Sequence, residues 1–250
     1  MLYLVGLGLA GERDLSLRGL DVARKAKKVY LENYTSPFLG KMRNLEKLTG
    51  KKIVLADRRM MEEDVELLLK EAKKKVVVVF VVGDVFCATT HADLVVTARK
   101  VRVKVKIIHN ASVLTAVGDT GLSLYKFGKV ASVPFPEKDW KVETPYDIIK
   151  ENKDAHTLLL LDLRPEEKRF MAAAEALKLL LEIEKKRREG VIKEGRKVVV
   201  CCALGTERQR IVYGPIKDVV KKEIRIFPQV LIFPGALHFM EEEIMRVYEI

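Results

Sequence analysis

The chain is poor in the residues that make metal centres and covalent frameworks: three cysteines and four histidines in 250 residues. Cys87, Cys201 and Cys202 are odd in number, lie in or beside apolar runs and lack metal-ligand spacing, so they read as buried free thiols. The histidines, at 91, 109, 156 and 238, are scattered, and no structural metal is expected. No stretch of eighteen apolar residues runs free of charge, and the first residues enter a strand pattern with no basic leader. The expectation is therefore a cytoplasmic protein without a spanning helix. Aromatic residues are scarce too, at 7%. They are not interleaved with basic ones, which weighs against nucleic acid as the primary partner despite a net charge of +11.

What the chain does have is apolar bulk, 48% of residues, enough for one large or two compact domains. Charged residues make up 32%, with Lys and Glu interspersed along the helices as on a heat-adapted surface. Residues 76–82 form an unalternating Val-rich run, which marks a strand buried on both faces of a parallel sheet. The run stops at Gly83-Asp84, and ligands of such sheets gather where the strands end. Thr90 followed three residues later by Asp93 has the form of a capping box opening the next helix.

At the amino terminus, Leu2-Tyr3-Leu4-Val5 reads as a strand, and residues 6–11 match the dinucleotide fingerprint G-x-G-x-x-G letter for letter. Glu12, Arg13 and Asp14 follow at once, however, so the helix is expected only after Asp14 or Ser16. The glycines then serve a close approach of backbone to a ligand, without a pyrophosphate at a helix start. Onward to residue 108 strands and helices alternate as β-α-β-α-β-α-β-α-β, with the last strand expected over 101–108, and such alternation implies a parallel α/β sheet. Ser112, just past that strand, is a candidate cap of the next helix. Residues 1–122 are expected to form an N-terminal α/β domain and residues 123–250 a smaller C-terminal α/β domain with a mixed sheet. Strands are expected there at 130–135, 157–163, 196–202 and 229–233, a long helix at 170–188, and a Lys-rich helix starting at Gly214-Pro215. The cleft between the domains is the default site.

These residues resemble the tetrapyrrole methylase superfamily, the class III S-adenosylmethionine-dependent methyltransferases. Gly6-Leu7-Gly8 with residues 14–20 is similar to its first loop and helix, and Gly83-Asp84 to its Gly-Asp-Pro loop, although Val85 stands in place of the proline. A narrower likeness, to the members that act in diphthamide synthesis, covers nearly the whole chain. It is carried in order by His91-Ala92-Asp93-Leu94, His109-Asn110-Ala111-Ser112, Thr120-Gly121-Leu122, Tyr125-Lys126-Phe127-Gly128, His156-Thr157-Leu158-Leu159 and Pro234-Gly235-Ala236-Leu237-His238.

The resemblance implies two α/β domains, a homodimer, and S-adenosylmethionine held in the interdomain cleft, leaving as S-adenosylhomocysteine. Its implied substrate is translation elongation factor 2, whose aminocarboxypropyl-modified histidine is methylated on the amino group. By position the implied cofactor contacts are Leu9, Asp84, Cys87, Ser112, Val113 and Leu161. Leu204 and Gln229 fall at two further positions where the family more often has Ala and His. A tetrapyrrole or ribosomal RNA substrate is the alternative within the superfamily. No general base is assigned from the sequence.

Overall fold

The computed structural model describes residues 1–137 and 142–250. They divide into two units, Met1–Ala116 and Val117–Ile250, so that residues 117–122, grouped above with the first half, fall with the second.

The first unit runs β1 (Leu2–Gly6), α1 (Leu17–Lys25), β2 (Lys28–Glu32), α2 (Met42–Thr49), β3 (Ile53–Ala56), α3 (Val65–Lys74), β4 (Val77–Val81), α4 (His91–Lys100), β5 (Val105–Ile108) and α5 (Val113–Ala116). This is the expected alternation. The strands lie in the order β3-β2-β4-β1-β5, and every pairing is parallel. All of β4 is fully buried, because its residues alternate between two cores. Val77, Val79 and Val81 join Leu68, Leu69 and Ala72 of α3 and Leu94 and Ala98 of α4. Val78 and Phe80 join Ala23 of α1 and Leu45 of α2 on the opposite face. Each such side chain contributes about 1.5–3 kcal/mol on burial. Helices thus cover both faces, which is why the run does not alternate.

In the second unit, β6 (Ala131–Val133), α6 (Thr144–Asn152) and β7 (Thr157–Leu161) are followed by a small hairpin of β8 (Leu163–Arg164) and β9 (Arg169–Phe170). Then come α7 (Ala173–Arg187), β10 (Lys197–Cys202), β11 (Arg210–Pro215), α8 (Ile216–Val219), β12 (Gln229–Phe233) and α9 (Phe239–Val247). The sheet order is β11-β10-β12-β7-β6, antiparallel except for the parallel β6–β7 pair. A mixed second sheet is therefore present as expected, but it is not smaller: it has five strands, as many as the first.

Several local expectations are corrected. The last strand of the first unit is confined to Val105–Ile108, since residues 101 and 102 form a turn with Arg102 at φ 60°. Thr90 does precede α4, but its side chain makes no cap; its hydroxyl donates to Glu62 Oε1 at 2.8 Å. Gly214 and Pro215 close a strand that the sequence reading missed, and the helix begins only at Ile216. The long helix starts at Ala173 because Arg169–Phe170 pairs with Leu163–Arg164. Among the described residues no helix is long and apolar enough to cross a membrane.

Candidate cofactor site

In the first sheet, β1 and β4 are neighbours, but the chain leaves β1 toward β2 and leaves β4 toward β5, on opposite sides. The crevice at their carboxyl ends is a topological switch point, where open α/β sheets bind ligands. Three loops meet there, following β1, β4 and β5.

The first two loops pair directly. Gly8 N donates to Gly83 O at 3.1 Å and Gly83 N to Gly8 O at 2.8 Å. Gly8 sits at φ +78°, and a Cβ there would lie 2.5 Å from Asp14 Cβ. Asp14 Oδ2 in turn accepts from Leu9 N at 2.9 Å and Ala10 N at 2.7 Å. The fingerprint glycines therefore serve loop-to-loop pairing. Residues 12–14 form a single 3-10 turn and α1 starts at Leu17 behind a Ser16 cap, whose hydroxyl accepts from Gly19 N at 3.1 Å. The helix start lies beyond the motif, as the charges at 12–14 imply.

Asp84 carries the second loop. Its Oδ1 accepts from Phe86 N at 3.1 Å and Cys87 Sγ at 3.7 Å, and its Oδ2 accepts from Asn110 N at 3.0 Å and His109 Nδ1 at 2.9 Å. Burial pushes its pKa up, but the Phe86 and Asn110 amides and then His109 outweigh it and hold the carboxyl below its ordinary value. Val85 beside it is fully buried, and its carbonyl accepts from Thr89 Oγ1 at 2.6 Å and from His91 Nδ1 at 3.2 Å. The second loop is thus held by side chains where the superfamily's proline would hold it by ring geometry.

The third loop supplies the fastening that the sequence reading missed. Asn110 Nδ2 donates to Gly6 O and to Asp14 O, both at 2.9 Å, while its Oδ1 accepts from Ala111 N at 2.8 Å. One amide thus links the first and third loops, and the backbone of the same residue reaches Asp84 in the second. Ser112, buried, accepts at Oγ from Leu114 N at 3.2 Å and caps α5. Leu9, Cys87 and Val113 are half-buried around these loops.

In the second unit the remaining three candidates also share one sheet end. Cys202 pairs with Gln229 and Val230 with Leu160. That register puts Gln229 level with Leu161 at the end of β7, and Leu204 just beyond β10. The Gln229 side chain is already engaged: Oε1 accepts from Ala173 N at 2.8 Å, and Nε2 donates to Ile224 O at 2.8 Å and Ile226 O at 3.0 Å. Both amide hydrogens are taken, and Oε1 keeps one lone pair. The thiols of Cys201 and Cys202 are buried, and burial pushes Cys202 up to about 11; Cys87 is half-buried.

A parallel α/β unit with ligand-type loops at its switch point, followed by a mixed-sheet α/β unit, matches a known class: the chain belongs to the tetrapyrrole (corrin/porphyrin) methylase family, whose model matches residues 1–220. As a member it is a methyltransferase. Within that class the chain is similar to diphthine synthase of Methanocaldococcus jannaschii, 45% identical with 98% of each chain covered. It is also 40% identical to an Arabidopsis thaliana protein described as "Probable diphthine methyl ester synthase", covering 100% of this chain and 98% of the other. A crystal structure of diphthine synthase superposes with a TM-score of 0.90 at 35% identity, over 99% of this chain and 95% of that one.

Proposed function

We propose that this chain methylates the amino group of the aminocarboxypropyl-modified histidine of translation elongation factor 2, a step of diphthamide synthesis, with S-adenosylmethionine as donor. The observation that carries this reading is identity at 40–45% along nearly the full length of both chains with proteins of that description. In this reading the protein works in the cytoplasm as a homodimer.

The residues fit the donor. A Cβ built on Gly83 would come no nearer than 3.9 Å to Ala111 O and Ser112, so the glycine leaves room between the second and third loops. Ser112 Oγ uses a lone pair on Leu114 N and keeps its own hydrogen to donate. In the first unit Leu9, Cys87, Ser112 and Val113 would hold the cofactor; in the second unit the candidates are Leu161, Leu204 and Gln229. Asp84, whose carboxylate accepts from Phe86 N, Cys87 Sγ, Asn110 N and His109 Nδ1, holds the second and third loops in shape beside them.

When bound, S-adenosylmethionine supplies a methyl group on a sulfonium. The chain's task is placement, with the reacting atoms held about 3–3.5 Å apart. Loops fastened to one another suit it. The test is incubation with labelled S-adenosylmethionine and elongation factor 2 carrying the precursor modification. Label on the modified histidine is expected; label absent from it, with a tetrapyrrole or ribosomal RNA labelled instead, refutes the reading.

A further inference from the structure

We propose that His109 is the proton acceptor of the reaction: its Nε2 takes the proton from the substrate ammonium before each methyl transfer, with Asp84 orienting the ring. The inference rests on the amine-methylation reading above and adds the residue that prepares the nucleophile.

The geometry fixes which nitrogen is available. His109 Nδ1 lies 2.9 Å from Asp84 Oδ2. That carboxylate accepts from four donors and is held below its ordinary pKa. An ionised carboxylate only accepts, so the hydrogen of the neutral ring is on Nδ1 and the lone pair is on Nε2. The Asp84 side chain is 8% exposed and that of His109 68%. A buried anion therefore anchors an imidazole whose body stands in solvent. The ring emerges one residue after β5, at the switch-point crevice, against the half-exposed Phe86 with ring centroids 6.2 Å apart. A buried carboxylate on Nδ1 with Nε2 turned outward is the arrangement by which a histidine is made a base.

Asp84 faces Nδ1 from the β4 loop, and the Cys87 thiol binds the other oxygen of that carboxylate. Asp14, across the β1 loop, is occupied by Leu9 N and Ala10 N.

The proton balance is simple. The ammonium N–H bond breaks, its electron pair stays on nitrogen, and the proton goes to Nε2, where the imidazolium charge faces Asp84. The nitrogen pair then forms the bond to the methyl carbon while the C–S pair leaves with sulfur. Every methylation that starts from a protonated amine repeats this cycle. The finished quaternary ammonium has neither proton nor lone pair and ends it.

His109→Gln keeps a polar side chain without the basic nitrogen. The expected result is a loss of about 10²-fold or more in kcat at pH 7, with the Kd for S-adenosylmethionine by calorimetry unchanged within about threefold. An unperturbed α-amino group titrates at about 8, so the free-amine fraction rises about tenfold from pH 7 to pH 9.5 and the defect should shrink by about that factor. A defect equal at both pH values, or none at pH 7, overturns the proposal while leaving the wild-type reaction to stand. A second measurement does not depend on turnover: long-range proton–nitrogen NMR of the protein alone should show Nδ1 protonated in the wild type. Asp84→Asn should shift that proton to Nε2. Wild-type His109 with its proton on Nε2 also overturns the proposal, even if elongation factor 2 proves not to be the substrate.

Discussion

Replacing Asn110 tests whether the first and third loops are held by one side-chain amide. In Asn110→Ala, Gly6 O and Asp14 O each lose a donor at 2.9 Å, and Ala111 N loses its acceptor. A typical intramolecular hydrogen bond contributes about 1 kcal/mol net, and a buried group left without a partner costs about 1–3 kcal/mol. Asn110 is half-buried, so water recovers part of this, and the sum is about 2 kcal/mol. For a chain of this size that lowers Tm by about 4–8 °C. Asn110→Asp is the sharper perturbation. It preserves shape and the bond from Ala111, but turns an acceptor oxygen toward two carbonyl oxygens. The carboxylate should therefore cost at least as much stability as the truncation, by thermal or urea melts, and should weaken S-adenosylmethionine binding by calorimetry. If Asn110→Asp melts with the wild type, the amide does not donate to those carbonyls and the fastening as described is wrong.

Two further outcomes follow from the same contacts. Asp84→Ala strips the acceptor from Phe86 N, Cys87 Sγ, His109 Nδ1 and Asn110 N, so urea melts should show a loss of about 1–3 kcal/mol in stability; a residue acting only on ligand would leave the midpoint unmoved. Glu184 gives a pH signature: burial pushes its carboxyl up, but donors from Ile192 N and Gly190 N and the Tyr146 hydroxyl outweigh it and hold it at about 2. Its stabilising effect is thus present above the ordinary carboxylate range and is lost as pH falls from about 4.5 toward 2. Glu184→Gln should flatten the acid side of a stability-versus-pH curve over that window, and an unaltered slope would refute it.

The alternation of the first unit was legible because β1 to β4 are short apolar runs closed by glycine or charge. The buried β4 announced itself by not alternating. β11 was not legible: Ile211, Val212 and Tyr213 follow the polar stretch 205–210 and run into Gly-Pro, so local chemistry favours a helix start, while pairing with β10 decides for strand. At the site, the strand ends and glycines pointed to three loops that the structure brings together. The role of Asp84 did not follow from its position, because whether a carboxylate faces ligand or protein depends on donors far along the chain. Asn110 left still less of a trace, since its amide reaches carbonyls 104 and 96 residues away.

The pairing of Gly8 with Gly83, together with the Asn110 amide, separates two duties that a binding loop often combines. Loop shape rests on backbone groups and on Asp14, Asp84 and Asn110. The apolar side chains of Leu9 and Val113 take no part in that fastening, which Leu9 joins only through its amide, whereas the Cys87 thiol donates to Asp84. If the proposed function holds, side chains at Leu9 and Val113 can therefore be exchanged to retune which molecule is held, or how tightly, without rebuilding the frame. Val85 in place of the proline is an instance at the frame itself, where His91 and Thr89 grip the backbone carbonyl while the side chain packs in the buried core. For engineering, the site is a fixed mount with exchangeable lining, and a library directed at the lining should keep its melting temperature while its ligand preference changes.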